Sequence, residues 1–192
     1  MEQYCIDALS AVEIIFFAGF EFNDIKSKLI FDLGSGTGRL SIASALLNAK
    51  YVISVDVDWN PLKILIKNIK NLGLENIIFP ICSEINNFEF SKSHLPSNLE
   101  ITTIMNPPFG VQKRTADRVF LKKAFSYSDI IYSIHLNNEK VDKFVNNYAK
   151  RFNWNIDYAI PFNLTLEKSF PFHTQKTKRI NVKIFRFLKQ PK

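Results

Sequence analysis

Leu29-Ile30-Phe31-Asp32-Leu33-Gly34-Ser35-Gly36-Thr37-Gly38 is the stretch that decides the fold. Its first five residues form a short apolar run carrying one acid, which predicts a buried strand; the three alternating glycines predict a tight turn. Leu40 to Asn48 then reads as a helix. The unit is strand, glycine turn, helix, and the rest of the chain repeats its rhythm. Tyr51 to Val55 is a β-rich run closing on Asp56, and Pro61 to Leu72 has helical spacing through Leu62, Leu65, Ile66 and Ile69, stopped by Gly73. Asn76 to Ile81 predicts a third strand, residues 83 to 99 a polar loop around Pro96, and Ile101 to Met105 a fourth strand. The pattern continues with a helix from Ala116 to Tyr127, a strand from Ile130 to His135 and a helix from Glu139 to Phe152. Asn155 to Ile160 and Ile180 to Leu188 alternate as strands of a closing hairpin. Alternation of this kind implies an α/β fold: a mostly parallel seven-stranded sheet with an antiparallel C-terminal hairpin and helices on both faces.

The organisation is that of a single domain over residues 1–192, with an N-terminal helical segment (1–28) packed on the core and the hairpin occupying 155–192. Ala11 to Phe20 is the most hydrophobic early stretch, but Glu13 interrupts it and Asp7 precedes it. It lacks the basic start and cleavage site of a signal peptide and is too short to span a bilayer. The chain is 46% hydrophobic and 22% charged, with 18 Phe, so the expected core is aromatic-rich. Its net charge of +7 favours an anionic partner, nucleic acid first, although a basic surface also serves solubility. Cys5 and Cys82 with three scattered His offer no metal-ligand spacing and no disulfide framework, so no metal and a reduced, cytoplasmic setting are expected. Cys82 reads as a buried small hydrophobe.

In a sheet of this class, ligands bind at the carboxyl ends of the strands. Those ends carry Asp32 with Gly34, Ser35, Gly36, Thr37 and Gly38; Asp56 with Val57; Ser83 and Glu84; and Asn106-Pro107-Pro108-Phe109. The glycines let backbone approach a cofactor closely, and an acid about 20 residues later accepts hydrogen bonds from ribose hydroxyls. Dinucleotide sites favour Gly-x-Gly-x-x-Gly, which is not what stands here. Asn106 offers an amide oxygen beside the Pro107 carbonyl, and Phe109 a face for a flat ring, a set suited to a planar amine awaiting a methyl. The plainer reading of the tetrapeptide is a turn after a strand. With Asp32 before the turn, the set as a whole points to S-adenosylmethionine as cofactor.

These residues carry a family resemblance. The chain resembles the class I, Rossmann-like methyltransferases, and within them the archaeal and eukaryotic small-subunit ribosomal RNA N6-adenine methyltransferases, the methyltransferase-like protein 5 group. The similarity runs from Glu2-Gln3-Tyr4 through the Asp32–Gly38 turn and Met105-Asn106-Pro107-Pro108-Phe109-Gly110 to Tyr132-Ser133-Ile134-His135, Phe172-His173 and Lys176. It implies methyl transfer to adenine N6, cofactor contacts from Tyr4, Asp32, Gly34, Ser35, Gly36, Thr37, Gly38, Asp56, Val57 and Asn106, and a small zinc-containing activator subunit at the sheet edge. Two departures concern cofactor affinity rather than reaction type. Cys5-Ile6 stands where the family has Pro-Thr after its first Tyr, and the third strand ends Cys82-Ser83-Glu84 where the family often has an Asp, leaving Ser83 and Glu84 as alternatives for the adenine contact.

Guanine N2 in RNA and the side-chain amide of glutamine in a protein are the alternative acceptors, since both present a planar amino group. Lys113, Arg114, Arg118, Lys122 and Lys123 follow the Asn-Pro-Pro-Phe turn, and Lys168, His173, Lys176, Lys178 and Arg179 surround Phe172. As two clusters they suit phosphates on either side of a pocket; singly, such charges are usually solvated. Phe170 and Phe172 either stack on bases or fill the hairpin, Trp59 either packs on the cofactor adenine or covers its own helix, and His135 reads as a buried structural histidine.

Overall fold

A computed structural model of the chain describes residues 5–108, 116–167 and 177–190. The expectations for Tyr4, Phe109, Lys113, Arg114, Phe172, His173 and Lys176 lie outside the described residues, as does the side chain of Lys178. Strands and helices alternate: β1 (Cys5–Ile6), α1 (Ala8–Phe20), β2 (Leu29–Leu33), α2 (Arg39–Leu46), β3 (Tyr51–Asp56), α3 (Trp59–Leu72) and β4 (Ile78–Cys82). They continue with β5 (Ile101–Met105), α4 (Ala116–Tyr127), β6 (Ile130–Leu136), α5 (Glu139–Arg151), β7 (Trp154–Glu167) and β8 (Thr177–Lys189).

Among the described residues one sheet contains every strand, in the order β1-β7-β8-β6-β5-β2-β3-β4. β4, β3, β2, β5 and β6 run parallel; β8 pairs antiparallel with β6, and β7 with β8. The seven expected strands are all present, and the two-residue β1 adds an eighth by pairing Cys5 with Glu167 and Ile6 with Leu166. The hairpin is longer than its sequence pattern suggests, because β7 continues through Pro161 to Glu167. At Pro161 the strand is paired only with β8, so its other side tolerates a residue that has no N–H.

Local chemistry sets the helix ends. Asp7 caps α1 by accepting from the Ser10 amide (3.1 Å), Asp58 caps α3 from Asn60 (2.9 Å), and Asn138 caps α5 from Val141 (3.0 Å). α3 stops where Gly73 takes a left-handed φ of 66°. Each sheet face has its own core. Ile30, Val52, Ile78, Ile104 and Ile134 pack under α1, α2 and α3, while Phe31, Leu33, Met105, Ile131 and Phe187 pack under α4 and α5 with Trp154. Cys82 departs from expectation: it is exposed, at the carboxyl end of the edge strand β4.

A buried polar cluster ties the chain's beginning to its end. The Asp24 carboxylate accepts from the Tyr132 hydroxyl (2.5 Å) and from Arg186 Nε (2.8 Å); Arg186 also pairs with Asp157 and lies over the Phe22 ring at 4.1 Å. The Asp24 carbonyl accepts from Thr102 Oγ1 at 2.7 Å. Asp24 and Arg186 are only 3% and 7% exposed, so removing Arg186 strands the Asp24 carboxylate without a cation in a low-dielectric interior, and removing Asp24 leaves Arg186 with Asp157 as its one acidic partner among the described residues. Asp24→Ala is expected to lower unfolding free energy by about 3 kcal/mol in urea titration. A midpoint equal to that of the parent chain would show that the cluster contributes nothing.

Candidate functional site

Register brings the chemistry-bearing residues to one end of the sheet. Leu33 lies opposite both Val55 and Met105, Asp56 opposite Cys82, and Met105 opposite Ser133. The residues that follow, Gly34, Val57, Ser83 and Asn106, therefore leave the parallel strands on a common rim.

The glycine turn is fixed by shared acceptors. The amides of Gly34 and Ser35 both donate to the Val55 carbonyl (2.8 and 3.1 Å), and the Gly36 amide donates to Asp56 Oδ2 (2.7 Å). Gly34, Gly36 and Gly38 all have positive φ, at 77°, 54° and 79°. A Cβ on Gly38 would stand 2.2 Å from Leu65 Cδ1, so that glycine lets α2 close on α3. A Cβ on Gly36 would meet nothing within 4 Å. Thus Gly38 serves packing, and Gly36 borders open space.

Two carboxylates frame the turn. Asp32 is buried, and its Oδ2 accepts from the Ser41 amide (3.0 Å) and hydroxyl (2.5 Å); Ser41 Oγ is in turn 2.7 Å from Ser54 Oγ. Burial, with a smaller contribution from the charge on Asp56, pushes the Asp32 carboxyl up to about 7. Asp56 Oδ1 accepts from the Asp58 amide at 2.9 Å, and burial raises its pKa above the usual carboxylate range. Each Asp56 oxygen keeps lone-pair capacity beyond its one backbone bond.

Buried side-chain polar atoms normally find partners. Among the described residues four have none, and three of those stand at this rim: Asp32 Oδ1, Ser35 Oγ and Asn106 Oδ1. Pro107 is buried beside Asn106, and Pro108 and Thr37 are half-buried. Ser83 is bound by its amide to the Asp56 carbonyl (2.9 Å), with its hydroxyl donating to the Glu84 carbonyl (3.0 Å), whereas the Glu84 side chain and Val57 are exposed. Open space over Gly36, unpartnered buried polar atoms and the spare lone pairs of Asp56 leave room and hydrogen-bonding capacity for an adenosine cofactor at this rim.

Other expected residues are more scattered. Arg118 is exposed at the start of α4, its guanidinium 5.2 Å over the Phe144 ring, and Arg179 is exposed on β8. Lys122 is likewise exposed. Lys123 departs from expectation: its ammonium donates to the carbonyls of Phe88 (2.7 Å) and Asn86 (3.2 Å) and pairs with Glu89, so it holds the 83–99 loop rather than standing ready for phosphate. Trp59 opens α3 and is half exposed. His135 is buried, 2.7 Å from Ser133 Oγ, and burial lowers its pKa to about 4, so it is neutral. Ser41 and Ser54, which support Asp32, carry no sequence signal beyond being small and polar in apolar elements.

The glycines separate stability from binding. Gly38→Ala is expected to destabilise by roughly 2 kcal/mol or more through strain and overpacking. Gly36→Ala is expected to cost about 1 kcal/mol for φ alone while lowering cofactor affinity at least about tenfold. Thermal melts and calorimetric titration with S-adenosylmethionine check both; equal losses of affinity in the two variants would contradict the division.

Comparisons with known proteins agree with this geometry. The family model for ribosomal protein L11 methyltransferase (PrmA) matches residues 3–95, the half that holds the glycine turn and Asp56. An uncharacterized protein of Methanocaldococcus jannaschii is 37% identical over 98% of this chain and 85% of its own. The zebrafish (Danio rerio) rRNA N(6)-adenosine-methyltransferase METTL5 is 30% identical over 97% of this chain and 88% of its own. A crystal structure from Pyrococcus horikoshii, described as a candidate RNA methyltransferase, superposes with a TM-score of 0.85 at 34% identity, covering 99% of this chain and 89% of that one. With that strand-end cradle and near full-length similarity to METTL5, the chain belongs to the METTL5 family and is an S-adenosylmethionine-dependent methyltransferase.

Proposed function

We propose that this chain, as a single domain over residues 1–192, methylates the exocyclic N6 of adenine in small-subunit ribosomal RNA, in the cytoplasm. The observation that carries the reading is the buried, unpartnered Asn106 Oδ1 at the end of β5, beside Pro107. An acceptor left without a donor in the folded chain suits a donor that arrives with the substrate. Support for RNA comes from the net charge of +7 and from a relative named as an rRNA N6-adenosine-methyltransferase that spans nearly the whole chain.

When bound, S-adenosylmethionine would supply an electrophilic methyl group from its sulfonium, leaving as the neutral thioether S-adenosylhomocysteine while the methylated nitrogen gives up one proton to solvent. The protein's part is to hold and orient. Asn106 Oδ1 and the Pro107 carbonyl take the two N–H bonds of an extruded amine, drawing it toward a tetrahedral shape with its lone pair directed at the methyl. Phe109 stacks on the base in this reading. Transfer then needs orientation and electrostatics more than a strong base. Asp56 takes the ribose hydroxyls, Ser83 or Glu84 the cofactor adenine, and Tyr4, Asp32, Ser35 and Thr37 the remaining polar groups. Lys113, Arg114, Arg118, Phe172, His173, Lys176, Lys178 and Arg179 contact the RNA. A small zinc-containing activator subunit at a sheet edge completes the proposal.

Asn106→Ala is expected to bind S-adenosylmethionine within about threefold of the parent chain. It should lose at least about a thousandfold in transfer of tritiated methyl to ribosomal RNA. Undiminished turnover would remove Asn106 from its role.

Asp32 gives a pH signature. Its carboxyl is raised in the free protein to about 7, so between about 4 and 7 the native state holds a proton that the unfolded chain releases. Stability of the free protein therefore falls as pH rises through that window. A cationic cofactor favours the carboxylate, so its binding expels the proton, and affinity should rise from about pH 6 to about pH 8 and then level off. Calorimetry in buffers of different ionisation enthalpy measures the proton release; a flat affinity profile would contradict it.

A further inference from the structure

Helix α3 presents a row of lysines that no acid among the described residues neutralises. Lys63, Lys67 and Lys70 are exposed, and the 14 residues of the helix contain neither Asp nor Glu. The opposite side of α3 is taken up by the core, through Pro61, Leu62, Leu65 and Ile69. At 100° per residue the three lysines and Trp59 fall within about 80° of arc, over a length of about 17 Å. Other lysines are matched with acids: Lys28 with Glu100, Lys92 with Asp129, Lys123 with Glu89 and Lys183 with Asp142. Lys63, Lys67 and Lys70 have no such partner among the described residues. At four- and three-residue spacings they repel one another along the helix, a cost that an anion lying across them removes. A lysine row is commonly just a solvated face, and α5 is an example: Lys140, Lys143 and Lys150 are exposed there, but Glu139 and Asp142 stand in the first turn.

We propose that the α3 row is an RNA-binding surface, on which the phosphodiester backbone tracks along Lys63, Lys67 and Lys70 while a base stacks on Trp59. It rests on the RNA reading above and extends it to a part of the molecule that the other basic residues do not reach. α3 opens three residues after Asp56, so the row begins at the strand-end rim and runs away from it along the sheet. Trp59, at its head, is 50% exposed. Arg118 belongs to α4, on the opposite face of the sheet, so RNA held by both helices crosses the rim. Positive charge following the backbone, with an aromatic side chain offered to a base, is the usual arrangement for holding a single strand without reading its sequence. An acidic protein would also suit the lysines; the indole at the head of the row and the net charge of +7 favour nucleic acid.

Binding of an unmodified small-subunit ribosomal RNA fragment, followed by fluorescence anisotropy across a range of salt concentrations, tests the row. Lys63→Gln, Lys67→Gln and Lys70→Gln combined should reduce the slope of log affinity against log salt by about 2, with at least about a tenfold loss of affinity near physiological salt. Lys140→Gln, Lys143→Gln and Lys150→Gln combined remove the same charge from α5 and should stay within about threefold of the parent. Both variants should melt and titrate with S-adenosylmethionine as the parent does, because the substituted side chains are solvent-facing. RNA should also quench the emission of Trp59, which is distinguishable because Trp154 is only 1% exposed and remains as the reference in Trp59→Phe. Equal losses in the two triple variants, or none in the α3 variant, overturn the proposal and leave the RNA reading in place; a parent chain that binds no RNA overturns both. Equal quenching by S-adenosylmethionine alone would place Trp59 on the cofactor and remove it from the RNA surface.

Discussion

The Val55 carbonyl accepts two consecutive amides, those of Gly34 and Ser35, and the next residue's amide closes on the Asp56 carboxylate. Two adjacent parallel strands are thereby locked together at their carboxyl ends by the turn that leaves one of them. All else at the rim depends on this clamp. It sets where α2 begins, hence where Ser41 meets Asp32; and it keeps the open side of Gly36 clear. Positive φ at three glycines is the conformational condition for the clamp, and ordinary side chains would be strained there.

The molecule treats its buried polar groups in two ways. Away from the rim, the Asp24, Tyr132 and Arg186 cluster is densely bonded and joins the loop after α1 to β6 and β8. At the rim, Asp32, Ser35 and Asn106 each keep a buried atom unbonded. An unsatisfied buried group costs about 1–3 kcal/mol, a sizeable fraction of a domain's net stability. Three such deficits within one rim, beside a cluster elsewhere that has none, set the rim apart from the rest of the described interior. The raised Asp32 carboxyl is the electrostatic side of the same contrast, since a cation is what would return it to its charged form.

Much of the fold was legible because its elements are locally self-contained. Ile101–Met105 is a continuous apolar run, buried throughout, and Ala116–Tyr127 and the Gly73 stop follow from periodicity and turn chemistry. Elements whose existence depends on a distant partner were not. β1 is two residues with meaning only against Glu167 and Leu166, and β7 runs past a proline because β8 accompanies it. Cys82 looked buried by type but is exposed, at the end of the edge strand. Within the site, glycines and acids announced themselves by spacing, while Ser41 and Ser54 did not, and Lys123 looked like a phosphate contact until the 83–99 loop folded over it. A sequence pattern reports which side chains have unusual chemistry; only packing reports which of them remain free to use it.

The most direct measurement is nucleoside mass spectrometry after incubating the purified chain, with methyl-labelled S-adenosylmethionine, on small-subunit ribosomal RNA that lacks modifications. Labelled N6-methyladenosine at one position is the predicted product. Labelled N2-methylguanosine, or label carried by ribosomal protein and not by RNA, would contradict it.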